Sequence, residues 1–203
     1  MTQDPVPQTI ATYNRIAEDY AARWQNRAVL AAAAAQFAEL AGPHGRVLDV
    51  GCGAGFDTAI LRQHGLRATG VDLSWGMMQA GRQRGLAVDF VQADMRALPF
   101  AAGLDGIWAC ASLLHVPRAQ VPGVLHSFAA LLRPGGVFYL SVKVGDDEAW
   151  TADKYGRQQY RFFTYWQPET LDPLLTAVGF QIVAGDVRPG KRDVWLSRLA
   201  RKT

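Results

Sequence analysis

The chain has 203 residues, 49% of them apolar and 19% charged, with a formal net charge of +3. That length fits one domain with a substantial buried core, and the balance excludes a disordered or low-complexity chain. Lys and Arg are scattered; the one small cluster, Arg188, Lys191, Arg192, Arg198, Arg201 and Lys202, reads as a solvated face ahead of an RNA-binding strip.

The N-terminal MTQDPVPQT lacks the basic-then-apolar pattern of a secretory signal, so a cytoplasmic location is expected. Apolar periodicity predicts a helix over 8–24 and another over 27–40, closed by Gly42-Pro43. The alanine-rich part of the second is interrupted by Gln36 and Glu39, as in an amphipathic helix, and no run is long enough to span a membrane. From there strands and helices alternate: strand 46–50, helix 56–64, strand 68–72, helix 74–84, strands 88–92 and 106–110, helix 118–132, strand 137–142. Such alternation requires crossover connections, hence an α/β doubly wound, mostly parallel sheet with helices on both faces. The segment 145–166 reads as a loop mixing acids (Asp146, Asp147, Glu148, Asp153) with bases and aromatics (Trp150, Lys154, Tyr155, Arg157, Tyr160, Arg161, Phe162). A helix over 168–178 and strands 180–187 and 194–200, joined through Pro189-Gly190, predict an antiparallel C-terminal hairpin closing a seven-stranded sheet. The expected organisation is one domain: a helical cap (1–42), a ligand-binding core (43–143) and a further loop, helix and hairpin (144–203).

Ligands of such sheets bind beyond the carboxyl ends of the strands, where strand order switches. The strongest local signal lies there: Val47-Leu48-Asp49-Val50-Gly51-Cys52-Gly53-Ala54-Gly55, an apolar strand entering a turn with glycine at alternate positions. Glycine tolerates positive φ and close approach of a ligand to backbone, and the following helix offers unpaired N–H groups. Asp72 ends the next strand, where a carboxylate accepts hydrogen bonds from ribose hydroxyls. A dinucleotide turn would place its third glycine where Phe56 stands, and here Asp49 precedes the first glycine; both differences point away from NAD and FAD. Cys52 and Cys110 have neither CxxC spacing nor nearby His partners, so they read as reduced thiols and no metal site is expected.

Together, VLDVGCGAG (47–55), GVDLSWGMM (70–78), VQADMRALPF (91–100), LDGIWACASLLHV (104–116) and LLRPGGVFYLSV (131–142) resemble the class I S-adenosylmethionine-dependent methyltransferases. The resemblance implies that Gly51, Gly53 and Gly55, with Cys52 between them, form the loop under the methionine part of S-adenosylmethionine, supported by Asp49. It implies that Asp72 and the adjoining Leu73 hold the ribose, that Met77 lies beside adenine, and that Asp94 and Met95 flank the base. Ala109 and Cys110 fall where family members contact the methionine amino group, and Tyr13 and Tyr20 where they cap the cofactor. Plain packing competes for Met77 and for the Tyr13/Tyr20 stripe, and loop ordering or turn capping for Asp49 and Asp94.

The implied reaction is direct methyl transfer to a small molecule, releasing S-adenosylhomocysteine, with no metal and no covalent enzyme intermediate. His115, just after the fourth core strand, is the best-placed general base, against a packing role at the same position. Two other readings stand beside this one: a tRNA-modifying methyltransferase of the wobble-uridine type, and a non-catalytic S-adenosylmethionine-binding regulator. The expected partner is a small-molecule acceptor rather than nucleic acid or membrane, and the expected state a monomer or homodimer.

Overall fold

The computed structural model describes residues 4–152, 159–190 and 192–203. The chain begins with α1 (Val6–Trp24), a 3-10 turn (Ala28–Leu30) and α2 (Ala31–Ala41), which ends at Gly42. The core then runs β1 (Arg46–Val50), α3 (Phe56–Gln63), β2 (Arg67–Asp72), α4 (Trp75–Gln83), β3 (Asp89–Gln92), β4 (Leu104–Cys110), α5 (Val121–Leu131) and β5 (Leu132–Lys143). Next come β6 (Glu148–Ala152), β7 (Tyr160–Thr164), α6 (Pro168–Ala177), β8 (Phe180–Pro189) and β9 (Val194–Lys202).

The main sheet has seven strands in the order β3-β2-β1-β4-β5-β9-β8, parallel through β5, with β9 antiparallel to β5 and β8 antiparallel to β9. This is the doubly wound arrangement predicted, C-terminal hairpin included. Strand order reverses between β1 and β4, so the crevice opens at Val50 and Cys110.

Alternation along β4 sends neighbouring side chains to opposite layers. Ile107 and Ala109 join Phe128, Phe138 and Leu140 on one face. On the other face Trp108 stacks on Tyr139 at a centroid distance of 3.8 Å and meets the Phe37 ring of α2 edge-on at 5.3 Å. At Gly106 a β-carbon would lie 2.6 Å from the Phe37 ring, so glycine lets α2 sit down on the sheet.

Helix α1 lies outside this sandwich, between α4 and β7. The Asn14 side-chain oxygen accepts from Ser74 Oγ and Gly76 N–H at 2.8 Å each, and Arg84 pairs with Glu18 at 2.8 Å. Across α1, Thr12 donates to the Tyr160 carbonyl at 2.8 Å and Phe162 N–H donates to Thr9 at 3.1 Å. Close approach rests on two glycines of α4: a β-carbon would stand 2.9 Å from Asn14 Cα at Gly76 and 2.1 Å from the Ala54 carbonyl oxygen at Gly81.

The segment 145–166 departs from the expected loop, because β6 and β7 form an antiparallel hairpin of their own with Trp150 opposite Phe162. Its interleaved charges mask two short β-forming runs, EAWTA and YRFFT, rich in aromatic and β-branched residues. Asp153, Lys154, Tyr155 and Arg157 lie outside the described residues, as does Lys191. The predicted helix at 118–132 is also shorter: a 3-10 turn (Arg118–Gln120) precedes α5, and Leu132 already belongs to β5.

Two residues of the basic cluster turn inward. Arg198 is bidentate to Asp172, and Lys202 donates to the Leu132 carbonyl. Among the described residues no helix is long and apolar enough to cross a membrane.

Candidate functional site

The crevice is a cleft of about 1060 Å³, counting its mouth, between the ends of β1, β2 and β4 and the inner face of α1. Its floor is the glycine bend. Gly51 and Cys52 both donate their N–H to the Val71 carbonyl, at 2.7 and 3.1 Å, and this curls the chain back over β2. Gly51, Gly53 and Gly55 have φ of 74°, 56° and 82°, a region where L side chains are strained. At Gly51 a β-carbon would overlap Ser112 Cβ at 2.2 Å, and Ser112 is itself tied to the Val50 carbonyl at 2.6 Å.

Asp72 fastens this bend to the next loop. Its Oδ2 accepts from Gly53 N–H and its Oδ1 from Ser74 N–H, both at 2.7 Å. Burial raises the Asp72 pKa, and the backbone donors work against that rise. Asp49, beneath the bend, is 2% exposed and accepts from Thr58 Oγ1 at 2.6 Å. Burial, and then the neighbouring charge of Asp57, push its pKa well above the usual carboxylate range.

Two partners beside Asp49 were not singled out from the sequence. Arg27, in the turn after α1, is bidentate to Asp57 with Nε at 2.6 Å and Nη2 at 2.9 Å; Trp108 Nε1 also donates to Asp57 at 3.1 Å. Burial opposes the Arg27 charge, but the Asp57 carboxylate outweighs it and raises the guanidinium's pKa. The cleft therefore presents one cation and two carboxylates at the end where β1 meets β4.

At the other end Leu73, Met77, Ala93, Asp94 and Met95 line the wall, Met77 being 2% exposed. Both Asp94 oxygens accept from Arg96, whose Nη1 reaches Asp4 at 2.8 Å. Burial works against the Asp94 charge, yet the Arg96 hydrogen bonds prevail and hold the carboxyl below its ordinary pKa. Cys52 and Cys110 are kept as thiols by burial, Cys110 pushed up to about 12.

Most residues singled out from the sequence meet in this cleft: Tyr13, Tyr20, Asp49, Gly51, Cys52, Gly53, Asp72, Leu73, Met77, Asp94, Met95, Cys110 and His115 all line it. Gly55 and Ala109 are not among its lining residues. Gly55 closes the bend against Phe90, whose ring a β-carbon would meet at 2.7 Å, and Ala109 packs into the core below. Among the described residues, no group of His, Cys, Asp or Glu is placed to hold a metal ion.

His115 has both ring nitrogens engaged, Nδ1 with the Phe162 carbonyl at 2.6 Å and Nε2 with Tyr13 Oη at 2.8 Å. Burial, with Arg161 and Lys143 nearby, drives its pKa down to about 3 from 6.5. The sign of the pH effect follows: below 6.5 the unfolded chain gains a proton that the folded chain refuses until about 3, so this group's stabilisation falls as pH drops through that window. Thermal melts of wild type and His115→Gln at intervals from pH 7 to 4 are expected to show a steeper acid loss in wild type. Parallel curves would refute the buried neutral imidazole.

Along the cleft come a cation and carboxylates, a side-chain-free bend, a further carboxylate, then an apolar slot with an acid. That sequence fits a zwitterionic amino acid joined to a nucleoside, presented by a doubly wound sheet. Comparisons with known proteins agree. The family model described as "Methyltransferase domain" matches residues 47–136. A malonyl-[acyl-carrier protein] O-methyltransferase of Enterobacter lignolyticus is 32% identical over 139 residues, covering 66% of this chain and 53% of that protein. A ubiquinone biosynthesis O-methyltransferase of Salmonella arizonae is 32% identical over 111 residues, covering 52% and 45%. The chain thus spans about half the length of these curated relatives. Among solved structures, the 1,6-didemethyltoxoflavin-N1-methyltransferase of Burkholderia thailandensis, with bound 1,6-didemethyltoxoflavin and S-adenosylhomocysteine, superposes with a TM-score of 0.78 at 27% identity. The match covers 100% of this chain and 92% of that one. By these comparisons the chain is similar to the class I S-adenosylmethionine-dependent methyltransferases.

Proposed function

We propose that the chain transfers the methyl group of S-adenosylmethionine directly to a small-molecule acceptor. The observation that carries this reading is the single cleft in which Arg27, Asp49, the Gly51–Gly53 bend and Asp72 lie in the order the cofactor's own groups require. The cofactor supplies an electrophilic methyl carbon on a sulfonium; the protein's task is placement, worth about 7–11 kcal/mol in favourable cases.

In this reading Arg27, anchored by Asp57, binds the methionine carboxylate as a charge-assisted hydrogen bond. The backbone of the bend and Asp49 receive the ammonium, whose charge favours ionisation of a carboxyl whose pKa burial raises. Asp72 has lone pairs left for ribose hydroxyls beside the two backbone donors it already holds. Leu73 and Met77 pack on the base, with Asp94 at its edge. Tyr13 and Tyr20, edge to face at 5.3 Å, close the cleft from α1 and keep water from the reacting atoms. Cys52 and Cys110, half-buried and with thiol pKa values raised by desolvation, are unsuited to act as nucleophiles, which supports transfer without a covalent enzyme intermediate.

Calorimetric titration tests the reading. Wild type is expected to bind S-adenosylmethionine and S-adenosylhomocysteine, and Arg27→Met to weaken both about 10- to 100-fold, as loss of a charged hydrogen bond of about 1.5–3 kcal/mol requires. An acceptor screen following S-adenosylhomocysteine release then identifies the substrate. A protein that binds neither form, or that binds NAD instead, would overturn the reading.

A further inference from the structure

The ion pair at one end of the cleft is seated on β4. Trp108 and Cys110 stand two apart on that strand, so both side chains point to the same face. Trp108 Nε1 donates to Asp57 Oδ2 at 3.1 Å, and Cys110 Sγ accepts from Arg27 Nη2 at 3.5 Å. The indole has no room to turn: it is 1% exposed, stacked on Tyr139 and met edge-on by Phe37. It is a fixed donor, and it fixes one oxygen of Asp57.

Asp57 passes that placement on. Its Oδ1 accepts from Arg27 Nε at 2.6 Å and its Oδ2 from Nη2 at 2.9 Å, a fork that sets the plane of the guanidinium as well as its position. With Nε and Nη2 bonded to Asp57, and Nη2 also against Cys110, the hydrogens of Nη1 are the ones without a partner among the described residues. Arg27 lines the cleft, so a ligand that bonds it without displacing Asp57 does so through Nη1. Arg27 itself stands between α1 and the 3-10 turn, where its backbone leaves a long side chain many rotamers. The fork selects one of them before any ligand arrives, which lowers the ordering cost of binding.

Resting on the methyltransferase reading above, we infer that Trp108 is a positioning residue for the cofactor: through Asp57 it holds Arg27 with Nη1 turned to the carboxylate of the methionine part. Trp108 is not among the residues that line the cleft, so it acts only through the pair. Its influence is confined to ligands that carry the carboxylate. An indole that served packing alone would support the nucleoside end and the amino-acid end alike.

The first test compares S-adenosylhomocysteine with S-adenosyl-3-thiopropylamine, which keeps the nucleoside and the ammonium and lacks the carboxylate. Calorimetry on wild type is expected to show a preference of about tenfold or more for S-adenosylhomocysteine, as a charge-assisted hydrogen bond gives. Trp108→Phe keeps an aromatic ring and removes the N–H. It is expected to lower that preference by about threefold or more, with the decarboxylated ligand bound within about twofold of wild type. Arg27→Met is expected to lower the preference to about twofold or less, and adding Trp108→Phe to it to change the preference no further, as two residues acting in one chain require. A smaller drop in Trp108→Phe, equal weakening of both ligands, or the same drop with and without Arg27 overturns the inference.

The second test uses wild type alone and decides the matter if Trp108→Phe does not fold. In 15N-labelled protein the Trp108 indole N–H, assigned by its contacts with the Tyr139 ring, is expected to shift when S-adenosylhomocysteine binds and to move clearly less with the decarboxylated ligand. Equal shifts with the two ligands overturn the inference. A wild type that binds neither ligand counts against the methyltransferase reading; one that binds both equally leaves that reading standing and overturns this inference alone.

Discussion

Gly51→Ala is expected to abolish measurable S-adenosylhomocysteine binding and to lower Tm by about 4–20 °C. Two effects add. The φ of 74° costs an L side chain about 1–2 kcal/mol, and the new methyl would sit 2.2 Å from Ser112 Cβ, deep inside contact distance. Ser112 cannot swing aside cheaply, because its hydroxyl is bonded to the Val50 carbonyl, the residue that leads into the bend. Moving either partner moves the floor of the cleft, and overpacking of this kind costs about 1–3 kcal/mol more. At about 2–4 °C per kcal/mol for a chain of this size, the sum gives the stated shift. Gly65→Ala is the control: φ is 83°, but no atom lies within 4 Å of the added carbon. It should lose only the backbone term, a few degrees, and bind the cofactor as wild type does. Differential scanning fluorimetry with and without S-adenosylhomocysteine reads both quantities, and equal losses in the two variants would show that the Ser112 contact is not the cause.

Asp72→Ala is expected to weaken cofactor binding at least 100-fold, about 2.7 kcal/mol. Each oxygen of this carboxylate holds a backbone N–H at 2.7 Å, one from the bend and one from the start of α4. Truncation leaves both donors to be satisfied by water at a part-buried site, at about 1–3 kcal/mol each, and removes the group proposed for the ribose. Asp72→Asn separates the two roles. Its carbonyl oxygen can keep one backbone donor but its amide cannot accept from the other, so binding should fall between wild type and Asp72→Ala. Calorimetric affinity within about threefold of wild type for Asp72→Ala would remove Asp72 from the cofactor site.

The fold was legible because β1, β2 and β4 are short apolar runs bounded by glycine or acidic residues, and helices with a 3.6-residue apolar period separate most of them. The glycine bend and Asp72 were legible for a related reason: backbone that must turn tightly leaves glycine in the sequence, and the strand end that follows is one crossover away. What escaped depends on contacts between distant segments. Arg27 and Asp57 stand 30 positions apart and pair at the cleft's edge; in sequence one looks like the start of a helix and the other like an ordinary first-turn acid. The ring nitrogens of His115 are held by a β7 carbonyl and an α1 phenol, 47 and 102 positions away. The β6–β7 hairpin was hidden by charges placed among its aromatics. Gly55 and Ala109 carried motif positions, and their surroundings, the Phe90 ring and the core, are not visible from spacing.

Helix α4 carries glycine at 76 and 81 within nine residues, the first meeting α1 and the second meeting the bend. Each glycine lowers intrinsic helicity by about 1 kcal/mol relative to alanine, and an isolated helix of this length is marginal even with good formers. The nine-residue segment cut out as a peptide is therefore a coil, and in the whole chain its turns are underwritten by its neighbours. Its helical turns are for that reason lent by the amino-terminal rod and the curled backbone after the first strand, which press against it from either side.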